Sequence, residues 1–210
     1  HTIQSPNSGV YFYQFLCTLN GELDRTAFLK AWQRIVEAHP VLRTAFIWEE
    51  IDEPLQVVRQ QVDIPYHYEN WQHLPASAQQ TQLASLLRAD RQRGFNLAKA
   101  PLMRLHLRQI APDKHQFIWS SHHILMDGWS VPGVLKSVFS HYESIRRNRK
   151  ADTKPARSYR EYIAWLQEQN LALAEKFWHK KLSGFTAPTA LAIDIKREND
   201  FDTKTDYHQR

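Results

Sequence analysis

Apolar and polar positions along the 210-residue chain fall into short alternating runs and longer runs at helical spacing. Val10–Leu19 (VYFYQFLCTL) is rich in aromatic and β-branched residues and is followed by Asn20-Gly21, which predicts a strand closed by a turn. Asp24 then stands as N-cap to a helix over Arg25–Ala38, where Phe28, Leu29, Trp32, Ile35 and Val36 recur with the helical period. Pro40 marks the end of that helix, because it biases His39 away from the α region. Val41–Glu49 and Leu55–Arg59 read as strands, Ile64–Glu69 as a short further one, and Ser77–Arg93 as a helix. Leu102–Ile110 alternates, Pro112-Asp113 makes a turn, and Gln116–Ser121 pairs back as a hairpin partner. Trp129–Arg147 resumes helical spacing, and after the polar linker NRKADTKPAR one long helix is expected over Tyr159–Leu182. Beyond Gly184, TAPTALAIDI has room for one strand and KRENDFDTKTDYHQR is polar. Interleaved strands and helices without an internal repeat predict an α/β layered domain.

Composition narrows the classes. A hydrophobic share of 42% with 12% aromatics supplies a core and excludes a disordered tail. No apolar run approaches the ~18–20 residues that span a bilayer. No basic segment followed by an apolar one opens the chain, so neither a membrane anchor nor a signal peptide is expected. The single cysteine, Cys17, excludes an internal disulfide and any CxxC metal site; it reads as a small buried residue and is compatible with a cytoplasmic setting. The net charge of +5 favours acidic partners but is modest for a nucleic-acid binder. Its densest run, IRRNRK at Ile145–Lys150, fits a solvated helix C-terminus and, as the alternative, a docking patch for an anionic partner.

The candidate chemistry lies in SSHHILMDGWS, Ser120–Ser130. Adjacent strand residues point to opposite faces, so His122 and His123 are poorly placed to share a metal ion, and no HExxH spacing occurs. One imidazole could simply be a satisfied core or surface histidine. Against that stands the combination of strand end, imidazole and tight Asp-Gly turn before a helix, which suits a general base. On this reading Asp127 either orients the ring directly or supports the loop through a cation, and Gly128 permits a backbone geometry that a side chain forbids.

SHHILMDGWS resembles the HHxxxDG motif of the chloramphenicol acetyltransferase-like superfamily, and more narrowly that of nonribosomal peptide synthetase condensation domains. Three further stretches are similar to that family's motifs, in its order: SPNSGVYFYQ (Ser5–Gln14), EAHPVLRTAF (Glu37–Phe46) and SYREYIAW (Ser158–Trp165). The resemblance spans Ile3–Leu191. It implies a two-layer lobe with a mixed sheet packed by helices, spanning 1–185, and a segment over 186–210 leading towards a second lobe that the family has and this chain lacks. His123 would then be the catalytic or positioning residue for the α-amine of an acceptor aminoacyl thioester attacking a donor thioester. Gly128 would lie close to the reacting groups with its backbone N–H towards the developing oxyanion. His122 would be structural, Asp127 would pair with Arg43 as a buried ion pair, and Trp129 and Ser130 would complete the motif and start the helix.

The resemblance further implies donor and acceptor peptidyl carrier proteins as partners. Phosphopantetheine would arrive on those carriers as part of the substrate, with no metal and no cofactor held directly, and no nucleic acid or membrane engaged. The motif pair HPVLRT and HHILMDGWS is most similar to domains that accept an L-configured donor. Two departures stand out: Ser8 replaces a usual glutamine, and Ala38 a common arginine. Two rival readings compete. A stand-alone acetyltransferase carries HHxxxDG near its C-terminus, whereas here it falls mid-chain; a catalytically silent recruitment module would need neither histidine. A lone lobe is expected to have little or no condensation activity.

Overall fold

The computed structural model describes residues 9–149 and 158–187. Gly9, in the left-handed region at φ 66°, opens the turn that leads into β1 (Phe12–Asn20), its carbonyl accepting from the Phe12 N–H. Asp24 caps α1 (Arg25–Ala38) as expected, its carboxylate accepting from the Ala27 N–H at 2.9 Å. His39 leaves the helix in an extended conformation, and Pro40–Arg43 forms a 3₁₀ turn. The expected strand from Val41 is therefore shorter. Proline favours the first position of a helical turn, and the Thr44 hydroxyl closes the turn on the Pro40 carbonyl at 3.1 Å. Strand β2 (Thr44–Ile47) pairs antiparallel with β3 (Leu55–Val58). Then follow β4 (Tyr66–Asn70), α2 (Ala76–Arg93), β5 (Met103–Ala111), β6 (Lys114–His122) and α3 (Ser130–Arg146).

The main sheet is mixed, in the order β1-β6-β5-β4, antiparallel except for the parallel β4–β5 pair. One face carries Met103, Leu105, Leu107, Phe117 and Trp119 and packs under α1 and α3. The period of α1 explains the fit: Phe28, Trp32 and Ile35 are buried on its inner stripe. The Trp32 ring meets Trp119 edge-on at 4.8 Å, and Phe28 meets Phe117 at 5.2 Å. Tyr142 of α3 accepts the Asp24 N–H at its hydroxyl (3.0 Å), which ties the two helices together at the start of α1.

The opposite face is polar but not wet. Arg104, His106 and Ser120 are all buried beneath α2. Asp90 of α2 accepts from Gln14 of β1 (3.1 Å), from Ser120 of β6 and from Arg104 of β5. These three residues are cross-strand neighbours, so one carboxylate gathers three adjacent strands. Burial pushes the Asp90 carboxyl upward. The His106 ring at 3.4 Å, the Ser120 hydroxyl and the Arg104 charge outweigh that effect and hold the group well below the usual carboxylate range.

The chain divides into two units between Ile163 and Ala164. Instead of one long final helix there are two, α4 (Tyr159–Gln167) and α5 (Leu171–Lys181). Asn170 interrupts the run by capping α5, its side chain accepting from the Leu173 N–H at 3.1 Å. The linker Lys150–Arg157, the strand expected within TAPTALAIDI from Pro188 onward and the polar tail lie outside the described residues. Cys17 is half-buried against the core cluster, and burial raises its thiol pKa. Among the described residues no helix is long and apolar enough to cross a membrane.

Candidate active site

The two histidines stand where β6 ends, and the pleat separates them. His122 has the same parity as Ser120, on the polar face under α2, whereas His123 has the parity of Trp119, on the face covered by α1 and α3. His122 is buried, with 5% of its surface exposed. Its N–H donates to the Leu102 carbonyl at 3.0 Å, and its Nδ1 accepts from the Ile124 N–H at 3.1 Å. Accepting at Nδ1 places the proton of the neutral ring on Nε2. Burial, with a smaller contribution from the His123 charge, lowers the His122 pKa, so this ring is kept neutral.

His123 is the opposite case. Its main-chain N–H donates to the Tyr11 carbonyl at 2.8 Å and extends the β1–β6 ladder by one residue beyond the strand. A turn follows, closed by the Leu125 N–H on the His122 carbonyl at 3.1 Å. His123 itself is exposed and lines a cleft of about 870 Å³. Its ring nitrogens have no hydrogen-bond partner among the described residues.

The wall of that cleft is mostly apolar, from Val41, Leu42 and Phe46 on one side and Ile124, Leu125, Met126 and Val134 on the other. A few polar groups are set into it, namely His39, Gln56, Asp127, Ser130, Ser137 and Tyr159. An apolar cleft with few convergent polar groups is the usual form of a small-molecule site. His39, Gln56, Ser137 and Tyr159 are absent from the candidate residues read off the sequence. For His39 and Tyr159 the only signal is membership of the motif stretches EAHPVLRTAF and SYREYIAW; for Gln56 and Ser137 there is none.

Two expectations about the site need correction. Asp127 does not meet Arg43. The Asp127 carboxylate accepts from the backbone N–H of Ser130 (3.0 Å) and from its hydroxyl (2.8 Å), and this depresses the carboxyl pKa. A partner three residues away at a helix start costs less ordering than a distant one, and the carboxylate also favours the positive end of α3. Arg43 spends its donors on backbone carbonyls instead: Val36 (3.1 Å), Glu37 (3.4 Å), Gln60 (2.9 Å) and Arg59. It thus clasps the end of α1 to the segment after β3. Asp127 is exposed, so no buried ion pair is formed.

Gly128 is the second correction, because its backbone is not in the left-handed region that a side chain would strain. A Cβ built there meets nothing within 4 Å. The glycine leaves room and is not required by the turn. Trp129 is 93% exposed, and Ser130 opens α3 as expected. Among the described residues no group of three or more His, Cys, Asp or Glu side chains converges as a metal site would require.

The family model described as the condensation domain matches residues 1–209. One of the linear gramicidin synthase proteins of Brevibacillus parabrevis is 42% identical over 193 residues, which cover 92% of this chain and 4% of that protein. Surfactin synthase subunit 2 of Bacillus subtilis (strain 168) is 33% identical over 200 residues, 94% of this chain and 6% of that protein. Among solved structures, the starter condensation domain of rhizomide synthetase RzmA superposes with a TM-score of 0.78 at 23% identity, covering 89% of this chain and 46% of that one. VibH, an NRPS condensation enzyme, gives 0.70 at 20%, covering 90% and 43%. The chain therefore spans less than half of these condensation structures and a few per cent of the synthetases. The α/β architecture is the chloramphenicol acetyltransferase-like fold of those neighbours, and with the motifs, the mixed sheet and the family match in agreement, the chain belongs to the condensation-domain family.

Proposed function

We propose that this chain is the N-terminal, histidine-bearing lobe of a domain that joins carrier-bound aminoacyl and peptidyl thioesters during nonribosomal peptide synthesis. The observation that carries the reading is the asymmetry of the pair: His123 faces a cleft with its ring uncommitted, while His122 is buried with Nδ1 already taken. A free imidazole at that point can take or hold a proton of the acceptor α-amine as nitrogen attacks the donor thioester carbonyl. The C–N bond forms, the C–S bond breaks, and the proton is passed on to the leaving thiolate. Gly128, which leaves space beside the cleft, is the candidate for a backbone N–H donor to the oxyanion. His122, Asp127 and Arg43 support the site, each through its own local hydrogen bonds.

The partners in this reading are donor and acceptor carrier proteins, whose phosphopantetheine arms deliver the thioesters as substrate. The kinship with gramicidin and surfactin synthase proteins supports that assignment. The motif pair HPVLRT and HHILMDGWS supports an L-configured donor, and the single cysteine is compatible with a cytoplasmic synthetase as the setting. Because the solved neighbours are about twice as long, the other half of such a domain would supply the facing wall of the cleft, with residues 1–185 as the first lobe and 186–210 leading towards the second. Condensation by the 210-residue chain alone is accordingly expected to be slight.

The test is His123→Ala in the full-length synthetase that contains this sequence, with loaded carrier domains and product followed by mass spectrometry. General-base assistance is worth ~10²–10⁴-fold, so turnover should fall at least ~10²-fold with the melting temperature unchanged. Unchanged product formation would sink the catalytic reading and favour a recruitment module.

A further inference from the structure

His39 is the second imidazole of the cleft, and the condensation chemistry assigned to His123 makes no use of it. Its backbone is pinned on both sides. The N–H donates to the Ile35 carbonyl at 3.0 Å, ending α1, and the carbonyl accepts from the Leu42 N–H at 3.0 Å, opening the 3₁₀ turn. Pro40 restricts the junction further by holding His39 extended, at φ −112° and ψ 102°. The residue therefore cannot drift with a mobile loop.

The side chain is half-buried, and its ring nitrogens have no hydrogen-bond partner among the described residues. The charged groups buried beneath α2 behave differently, since Asp90 and Arg104 find their partners within the protein. A polar side chain that is fixed, partly desolvated and without a protein hydrogen-bond partner among the described residues, in a mostly apolar wall, is poised for a group that arrives from outside. Burial lowers its pKa, so near neutral pH the ring is uncharged and offers one N–H donor and one acceptor nitrogen.

We infer that His39 is a positioning residue for the thioester substrate, hydrogen-bonding a carbonyl or amide of the chain that enters the cleft while His123 handles the proton. The inference rests on the condensation reading for the identity of the substrate, and on the cleft geometry for the role. Its neighbours define the function by contrast. Val41, Leu42 and Phe46 can give apolar contact to a substrate but no direction, whereas one hydrogen bond from a fixed point sets register along the cleft. An interaction of this kind contributes to substrate binding and transition-state binding alike, so its loss raises KM and leaves kcat nearly unchanged.

The experiment uses the full-length synthetase with a carrier-loaded donor and a soluble acceptor probe, the L-alanyl and L-leucyl N-acetylcysteamine thioesters in turn. His39→Leu is expected to raise KM roughly 5–10-fold with kcat within about twofold, the size of one net hydrogen bond. His39→Asn or His39→Gln, which keep a donor and an acceptor on nearly the same reach, should recover at least half of that loss. The same probes are then titrated calorimetrically into the His123→Ala protein with and without His39→Leu, so that the result does not depend on turnover. A 5–10-fold weaker Kd with leucine is expected there. Equal KM and Kd in the leucine variant, or a loss that neither amide rescues and that follows the melting temperature, overturns the inference while leaving the catalytic reading intact. Full turnover by His123→Ala overturns the catalytic reading, and the titration still decides His39.

Discussion

Asp90→Asn tests whether one buried carboxylate holds the strands in register. The asparagine is isosteric, so no cavity is made, and the change removes only the charge and half of the acceptor capacity. Arg104, 4% exposed, is left as a buried cation without its counter-charge. Breaking a buried pair by removing one partner costs ~3–5 kcal/mol. The lower end applies here, because Arg104 keeps its bonds to the carbonyls of Gly94 (2.8 Å) and Asp90 (2.7 Å) and its place over the Phe95 ring at 4.2 Å. About 3 kcal/mol, at the ~2–4 °C per kcal/mol typical of a domain this size, lowers the melting temperature by about 6–12 °C. The acid limb gives a second readout. The folded-state pKa of Asp90 lies below its unfolded value, so its contribution is fully present above the ordinary carboxylate pKa near 3.9 and is lost as the pH falls through the folded value. The variant should lack that part of the acid-induced loss. Scanning calorimetry at pH 7, with urea titrations at pH 5 and pH 3, checks both. A variant that melts within about 2 °C of the parent at pH 7 would refute the argument.

His122→Phe should destabilise the chain by ~1–3 kcal/mol in urea denaturation, since the Ile124 N–H loses its acceptor, and His122→Asn should restore most of it by offering an oxygen near the Nδ1 position. Asp127→Ala and Ser130→Ala should be strongly non-additive in a double-mutant cycle, because each removes the same side-chain bond, whereas Asp127→Ala and Arg43→Met should simply add; coupling between 127 and 43 would restore the ion pair that the structure lacks. Gly128→Ala should leave the melting temperature within about 1 °C, as nothing lies within 4 Å of the added methyl, and a drop of several degrees would contradict that. Burial lowers the pKa of His39, His67, His115, His122 and His141 in the folded chain. The unfolded chain takes up those protons below about pH 6.5 before the folded chain does, so stability is full above that value and is lost progressively as the pH falls below it; a urea midpoint that does not fall on acidification below that value would refute this.

The legible parts of this fold are those in which a local signal and a tertiary need coincide. Helix α1 is bounded correctly at both ends from sequence because Asp24 caps, Pro40 stops and the apolar period between them is clean. The β5–β6 hairpin is legible for the same reason, through alternation and the Pro112-Asp113 turn. The break at Asn170 is not legible, because the apolar spacing runs through it and a side-chain cap outweighs the pattern only once the backbone has turned. The buried polar layer is half legible. Alternation in LMRLHLRQI marks Arg104, His106 and Arg108 as one face, but not that α2, whose only buried residue is Asp90, covers it. At the site, the asymmetry of the histidine pair follows from the strand period alone. The role of His39 does not, since its significance lies in a cleft assembled from separate segments of chain.

The polar layer and the histidine pair are one device seen at two points of the same strand. Side chains alternate with a period of two, so a slip of β6 by a single residue would exchange every face. In the direction that moves each residue of β6 into the place of the next, Trp119 would turn towards Asp90, and His122 would replace His123 towards the cleft. The hydrophobic face resists that slip by area, but Phe117, Trp119 and Ile118 are all large and apolar, and area distinguishes them poorly. The carboxylate distinguishes them sharply. Asp90 has partners in Gln14, Ser120 and Arg104, which are opposite one another only in the native register. In the slipped register it would face Trp119 and lose the Ser120 hydroxyl while remaining buried, a penalty of the order of the pair itself. Ser120 lies two residues before His122 and three before His123, so the residue that satisfies the buried charge and the residue that faces the cleft are fixed by the same choice of register.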